Sequence, residues 1–315
     1  MTAIEAAQKT QELLFQNPGW KDDFAKYAGQ ILSRADTIKR NKKLFHQFAP
    51  LFLYMNVTEA KSSGTFGIRY AGQQVADLKI RDGEVLVNTK KYDTNNREHF
   101  ACDVVLHDAL WGSPAAARFR KHFWAAPQRN KEAKKQNAEH RIESMLLSEL
   151  SKQKSAGKEI LGVQPVRLFG EIARFQMKTP LSASGNDLKY SGVHGGGIDI
   201  LARFGRGAKT QLCVIEVKDE AEPPEKVICQ AVAYAVFLRE LLRSPGGADW
   251  YKIFGFKREL PKNLEIIACT AMPLGEKTAS NFEGTEIPLG DFDKIVLRSI
   301  YFVEHECKLT GFVWK

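Results

Sequence analysis

The sequence predicts a mixed α/β chain, with a mixed sheet flanked by helices in the C-terminal half, preceded by a smaller α+β domain. Three observations predict it. Helical periodicity covers residues 2–55 and returns at 138–154 and after Pro223-Pro224, whereas short β-rich runs divided by turn residues fill 66–88. Apolar runs at 198–204, 212–217, 264–270 and 296–303 then alternate with helical segments, the order expected of a sheet covered by helices. At 315 residues the chain is long enough for two cores. The run 129–137, almost entirely polar with four positive charges against one negative, is the best candidate connection, which divides the chain into 1–136 and 137–315.

Taken in order, Ile4, Ala7 and Leu13 mark a first helix, the break Asn17-Pro18-Gly19 ends it, and Phe24, Tyr27, Ile31 and Leu32 mark a second. Strands are expected at 66–70, 74–80 and 84–88, separated by Ala71-Gly72 and by Arg81-Asp82-Gly83, whose Asp-Gly is a strong hairpin signal. A polar loop at 92–97 leads to a helix expected near 100–110. In the C-terminal half we expect a helix over 138–154, a strand pair within 163–178, and two strands at 199–204 and 212–218. A helix opened by Pro223-Pro224 and closed near Ser244-Pro245-Gly246-Gly247 follows, then buried strands at 264–270 and 296–303.

The chemistry concentrates in Gly197-Ile198-Asp199 and in Val214-Ile215-Glu216-Val217-Lys218. Strand side chains alternate, so Leu212, Val214, Glu216 and Lys218 share one face and Cys213, Ile215 and Val217 the other. Likewise Asp199, Leu201 and Arg203 are expected on one face, with Ile198, Ile200 and Ala202 opposite. The Gly- and Lys-rich turn at 205–209 joins the two segments as a hairpin and sets Asp199 beside Glu216. Two acids and a lysine then face one spot, a set of hard oxygen donors that suits Mg2+, with Mn2+ as a substitute. The bland reading is that a Glu-x-Lys strand end is a solvated face; the companion Asp199 and the helix behind it weigh against that.

This constellation resembles the PD-(D/E)xK nuclease superfamily, with Asp199, Glu216 and Lys218 on the D, the E and the K and Ile198 in place of the proline. The resemblance covers the C-terminal half and implies a restriction-endonuclease-like fold. It further implies an acid from the preceding helix, for which Glu143 stands in order, and a metal contact from the backbone carbonyl of Val217. Gln230 and Tyr234, at i and i+4, resemble the Q-x-x-x-Y element of RecB-like branches and share one helix face. The implied activity is metal-dependent hydrolysis of phosphodiesters, most plainly of DNA with RNA kept open, by an endonuclease or exonuclease serving defence or repair. Lys218 would orient or activate the attacking water.

Composition agrees. A formal charge of +9 and a pI near 9.2 favour a polyanionic partner. Arg118, Arg120, Lys121, Arg129 and Lys131, with Lys134 and Lys135, interleave with Phe119, Phe123 and Trp124 in a pattern suited to phosphates and bases, against the alternative of a solvated helix face over core aromatics. Lys39, Arg40, Lys42 and Lys43 form a second basic run, and Arg203 and Lys178 are candidates to line a groove. His194-Gly195-Gly196-Gly197 lacks the ending of a phosphate loop and reads as a flexible approach to Asp199. Five scattered cysteines without a C-x-x-C pair read as reduced core residues, and residues 1–12 lack a leader pattern. A cytoplasmic protein without a membrane span is expected, its oligomeric state open and a homodimer among the options. The rival readings are a nucleic-acid-binding protein with an inert nuclease fold, and a glycosidase using Asp199 and Glu216 as its acid pair.

Overall fold

The computed structural model describes residues 1–41, 51–55, 66–70, 73–89, 100–125, 138–151, 162–170, 172–174, 177–184, 187–192, 195–205, 207–278, 280–305 and 308–315. It is a mixed α/β structure in which a mixed seven-stranded sheet flanked by helices follows a smaller antiparallel sheet. Helix α1 (Ala3–Gln16) opens with a capping box: the Thr2 hydroxyl accepts from the Glu5 backbone N–H, and the Glu5 carboxylate accepts from the Thr2 backbone N–H. Pro18-Gly19 separates it from α2 (Trp20–Leu32), which is followed by the short α3 (Ala35–Arg40).

The small sheet holds β1 (Phe52–Met55), β2 (Phe66–Tyr70), β3 (Gln73–Arg81), β4 (Glu84–Asn88) and β5 (Ala109–Leu110) in sequence order, all antiparallel. Asp82 and Gly83 both take positive φ, 52° and 81°, as the expected two-residue hairpin turn requires. Two expectations fail here. Residues 52–55 form a strand rather than the end of a helical region, because they find a ladder on β2. Residues 100–110 form no helix either. Leu106 exchanges hydrogen bonds with Thr89, whose backbone N–H donates to the Leu106 carbonyl and whose hydroxyl accepts from the Leu106 N–H. Asn88 donates to Asp108, so this stretch runs along β4 instead of closing its own turns. Helix begins only at α4 (Pro114–Ala125), whose Phe119 and Phe123 are buried, with Phe123 packed against Tyr70 and Phe100.

Helix α5 (Ala138–Ser151) precedes β6 (Val163–Pro165). Two two-stranded ribbons follow, β7 (Arg167–Leu168) with β8 (Ile172–Arg174), and β9 (Leu181–Ser184) with β10 (Asp187–Tyr190). Then come β11 (Ile200–Phe204), β12 (Gln211–Val217), α6 (Pro224–Arg243), α7 (Gly247–Ile253), β13 (Glu265–Pro273), β14 (Glu286–Leu289), β15 (Asp293–His305) and β16 (Lys308–Trp314). The sheet runs β14-β15-β13-β12-β11-β6, with β16 added along the distal half of β15. Strand β11 is antiparallel to both of its neighbours, β6 and β12, whereas β12, β13 and β15 are parallel, so the chain must cross over between β12 and β13, and α6 makes that crossing.

Alternation in β12 divides two cores. Cys213, Ile215 and Val217 join Ile200, Ala202 and the apolar face of α5, while Leu212 and Val214 face α6. Helix α6 is apolar on nearly every side because it lies between this sheet and the first two helices. Trp20 and Phe24 pack edge-on against Phe237, at 5.5 and 5.0 Å between ring centroids, and the Trp250 indole donates to the Phe24 carbonyl at 3.0 Å. Among the described residues no helix is long and apolar enough to cross a membrane, and Cys102, Cys213, Cys229 and Cys269 are free and buried.

Asp293, at the start of β15, ties α6 to the sheet. It accepts from Arg239 at 2.8 Å, from Arg243 at 2.5 and 2.9 Å, and from the Leu264 N–H at 2.8 Å. Burial pushes its pKa up, but Arg243, the Leu264 amide and Arg239 outweigh this and hold it below the usual carboxylate range. We expect Asp293→Asn, which leaves two guanidinium groups sharing a neutral partner, to cost about 1–3 kcal/mol in urea unfolding at neutral pH. A folded pKa below the unfolded one stabilises at neutral pH and loses that contribution on acidification, so the gap between wild type and variant should narrow as pH falls through the carboxylate range.

Candidate metal centre

Three elements bring the acids together. The register pairs Ile200 with Ile215 and Leu201 with Val214, and one step further along the same ladder places Asp199 opposite Glu216. Asp199 itself lies just before β11. The preceding segment leaves the large sheet and pairs with residues 177–181: Ile198 N–H donates to the Met177 carbonyl, Thr179 N–H to Gly196 and Gly196 N–H to Leu181. Ile198 therefore packs in the α6-side core with Leu201, not with Ile200 and Ala202, since strand alternation does not continue through the departure point. The turn also fixes Asp199, whose Oδ2 accepts from the Val217 N–H at 2.9 Å.

Glu216 is buried on β12, and one of its oxygens, Oε2, has no hydrogen-bond partner. Its Oε1 accepts from Lys218 Nζ at 3.0 Å. Lys218 Nζ also donates to Glu139, on the first turn of α5. Carboxylate oxygens of Glu139, Asp199 and Glu216 lie within 4.8 Å of one another, close enough to share one cation. Glu139 is the functional candidate that the motif did not reveal. Glu143, one turn later on the same helix, is buried and lies 3.2 Å from His140 Nδ1 instead, although its charge still acts on Asp199.

The electrostatics follow from this crowding. Burial pushes the Asp199 pKa up to about 7, with Glu143 and Glu139 adding to the rise and the Val217 N–H and Lys218 opposing it. Burial, then Asp199, raises Glu216 well above the ordinary value against the pull of Lys218. Burial opposes the charge on Lys218, yet Glu216 and Glu139 on either side outweigh it and raise its pKa. Tyr234 on α6 is buried and its pKa rises, first from burial and then from Glu216 and Asp199, while Gln230 one turn earlier opposes the rise. Tyr234 thus stands near the acids, with Gln230 beside its hydroxyl.

The approach to Asp199 is packed rather than loose. A Cβ on Gly195 would collide with the Thr179 carbonyl, and one on Gly196 would fall 2.5 Å from the Tyr234 hydroxyl, so these glycines permit close contact between backbone and helix. The basic stretch, expected to serve nucleic acid outside this site, lies only partly within the described residues. Arg120 donates to the Trp111 carbonyl and lies over its ring at 4.7 Å, Phe119 and Phe123 are core, and Arg118, Lys121 and Trp124 are exposed. Arg129, Lys131, Lys134, Lys135, Lys42, Lys43 and His194 lie outside the described residues. Arg203 is turned away from the acids, towards the Gly255 carbonyl and the Phe256 ring.

An unpartnered buried carboxylate oxygen, an all-oxygen donor set and pKa values raised first by burial and then by neighbouring carboxylates fit a hard divalent cation, which relieves the crowding that the protein alone leaves. The chain matches no family model, no curated protein and no solved structure.

Two outcomes test this centre. Asp199 and Glu216 bind protons more tightly folded than unfolded, so below the unfolded carboxylate pKa the metal-free protein keeps this contribution and loses it as pH rises through about 7. The thermal stabilisation given by Mn2+ should accordingly grow between about pH 5 and pH 8, as the cation no longer competes with protons, and should vanish in Asp199→Asn. Secondly, Glu139→Gln should weaken Mn2+ binding in calorimetric titration by more than Glu143→Gln does, on the order of tenfold or greater for a lost ligand. Equal effects would return Glu143 to the ligand set.

Proposed function

We infer that the chain is a metal-dependent nuclease of the PD-(D/E)xK type, acting most readily on DNA. The observation that carries this reading is the convergence of Asp199, Glu216 and Glu139 with Lys218 at the end of an antiparallel strand pair. The order of elements supports it: a helix bearing acids, strands bearing the site, a helix carrying Gln230 and Tyr234, and a further strand parallel to the second site strand. That is the order of the restriction-endonuclease-like fold. The net charge of +9 suits a polyanionic substrate.

Asp199, Glu216 and Glu139 would hold Mg2+, with the Val217 carbonyl as an additional donor, and Glu143 would act on the cluster through its charge. Bound there, the cation would supply Lewis-acid polarisation of the phosphate and a more acidic water. The protein's own residues do the rest. The Val217 N–H fixes one Asp199 oxygen and leaves the other for a ligand. Lys218, anchored between Glu216 and Glu139, is positioned to orient the attacking water and to stabilise the negative charge that grows on the phosphoryl oxygens. Gln230 and Tyr234 would line the site from α6, where Tyr234 stays protonated and serves as a donor.

Lys218→Ala should lower cleavage of labelled DNA by roughly 10²- to 10⁴-fold while leaving DNA binding nearly unchanged, because the lysine acts mainly after substrate is bound. Glu216→Ala should remove both Mn2+ binding and cleavage, with circular dichroism showing each variant folded. A wild-type protein that binds DNA and Mn2+ yet cuts no nucleic acid tested would make an inert binding module the better account.

A further inference from the structure

Helix α4 carries a cationic face that the acid cluster does not use. The Ser113 hydroxyl accepts from the Ala116 N–H at 3.2 Å and Pro114 takes the first helical position, so the helix starts sharply. From Pro114 to Ala125 it holds no acidic residue. Ala116, Phe119 and Phe123, at i, i+3 and i+7, turn into the core, where Phe123 meets Tyr70 of β2. The opposite face presents Ala117, Arg118, Lys121 and Trp124, all exposed. Spaced three apart on a helix of about 3.6 residues per turn, Arg118, Lys121 and Trp124 follow one ridge in steps of about 4.5 Å along the axis.

Trp124 is the most exposed of the five tryptophans, at 66%, whereas Trp20, Trp111 and Trp250 are fully buried. An exposed apolar side chain is ordinary by itself, and its company decides what it does. Here an indole with its ring open to solvent stands beside two cations on a helix without acids. Among the described residues neither Arg118 nor Lys121 forms an ion pair, and Trp124 packs on no other ring. Arg120, on the same helix, differs in both respects, being bonded to the Trp111 carbonyl and laid over its ring. An acidic protein surface would satisfy the two cations but give the flat ring nothing to stack on. A nucleic-acid strand answers both, with phosphates for the cations and a base for the indole.

We propose that the outer face of α4 binds single-stranded DNA, with Trp124 stacked on one base and Lys121 and Arg118 neutralising the phosphates beside it. The choice of DNA rests on the nuclease reading, but the stacking chemistry does not. Within a duplex each base is covered on both sides by its neighbours, so a surface indole finds an open base only on an unpaired strand. Ring faces and phosphates carry no sequence information, and binding here is indifferent to base order. The small sheet on which α4 packs shares a continuous core with the C-terminal half through Ile68, Tyr70, Leu168 and Met177. A strand held on α4 is thus presented to the acids at a raised effective concentration.

The test uses the full chain and its Trp124→Ala, Lys121→Gln and Arg118→Gln variants, with Lys9→Gln on the exposed side of α1 as a control for net charge, each shown folded by circular dichroism. Fluorescence anisotropy of fluorescein-labelled oligothymidine, of oligouridine and of a blunt DNA duplex is followed against NaCl concentration, in chelator so that nothing is cut. Trp124→Ala should weaken binding of oligothymidine by roughly 5- to 150-fold without changing its salt slope, the loss of one stacked base, and should leave duplex binding as it was. Lys121→Gln and Arg118→Gln should each flatten the slope by roughly 0.7, the single-strand value for one phosphate contact, and Lys9→Gln should not. Oligothymidine should also quench the tryptophan emission of the wild type and not that of Trp124→Ala. A Trp124→Ala variant that binds oligothymidine as the wild type does, or that weakens single strand and duplex alike, overturns the proposal, and tighter binding of oligouridine overturns the choice of DNA. A wild type that cuts duplex DNA with Mn2+ but binds no single strand also overturns it and leaves the nuclease reading standing. Binding of oligothymidine that depends on Trp124, in a protein that cuts no nucleic acid, supports this face while the nuclease reading falls.

Discussion

The pairing of β11 with β12 is the constraint on which the rest of the site depends. Its register admits no other neighbour for Asp199 than Glu216, and both residues lie where α5 and α6 close over the end of the strands. A one-residue slip would reverse every side chain of β12, sending Ile215 and Val217 towards α6 and Glu216 into the apolar layer under α5. The hydrophobic cores on both sides of the sheet therefore enforce the meeting of two carboxylates that would separate if free to do so. Burial first, and the neighbouring carboxylates second, raise the pKa values of Asp199 and Glu216. Folding energy from Leu212, Val214, Cys213 and Ile215 is what holds the acids in place, and it is why the local conflict persists.

Lys218 relieves part of the conflict without ending it. Its ammonium touches Glu216 and Glu139 but leaves Glu216 Oε2 without a hydrogen bond. A single cation on a flexible stem gives each acid one contact at most, whereas a divalent ion can take an oxygen from each of three carboxylates together. The same geometry explains why Asp199 is held by a backbone amide. An N–H donor fixes the carboxylate's direction without adding a charge that competes for its second oxygen.

Much of this was legible in the sequence, and the pattern of success and failure has physical causes. The 224–243 helix and the Asp82-Gly83 hairpin were readable because proline, glycine and apolar periodicity act locally. The β11–β12 hairpin was readable for the same reason, its period of two surviving from Ile200 to Phe204 and from Gln211 to Val217. At Ile198 the period failed, since the chain had already left the large sheet for a partner near residue 178, a contact no local pattern announces. Residues 100–110 misled because Leu106 and Thr89, far apart in sequence, satisfy each other's backbone groups. Arg120 looked available for phosphate until its own chain supplied an indole and a carbonyl for it.

The choice between Glu139 and Glu143 shows where local reasoning ends. The two stand at i and i+4 on α5, on the same face and one turn apart, so periodicity treats them alike. What separates them is height along the helix relative to the strand ends. The apolar face of α5, from Ile142 to Leu150, must seat against Val217, Ile215 and Cys213, and that seating leaves the first turn projecting towards Lys218. Glu143 sits at the upper edge of the packed region, buried and turned to His140, where it adds negative potential to Asp199 without entering the shared oxygen cluster. Packing of a helix that carries no strand of the site thus decides which carboxylate joins it, so the identity of the third acid is a property of the tertiary structure and not of any motif.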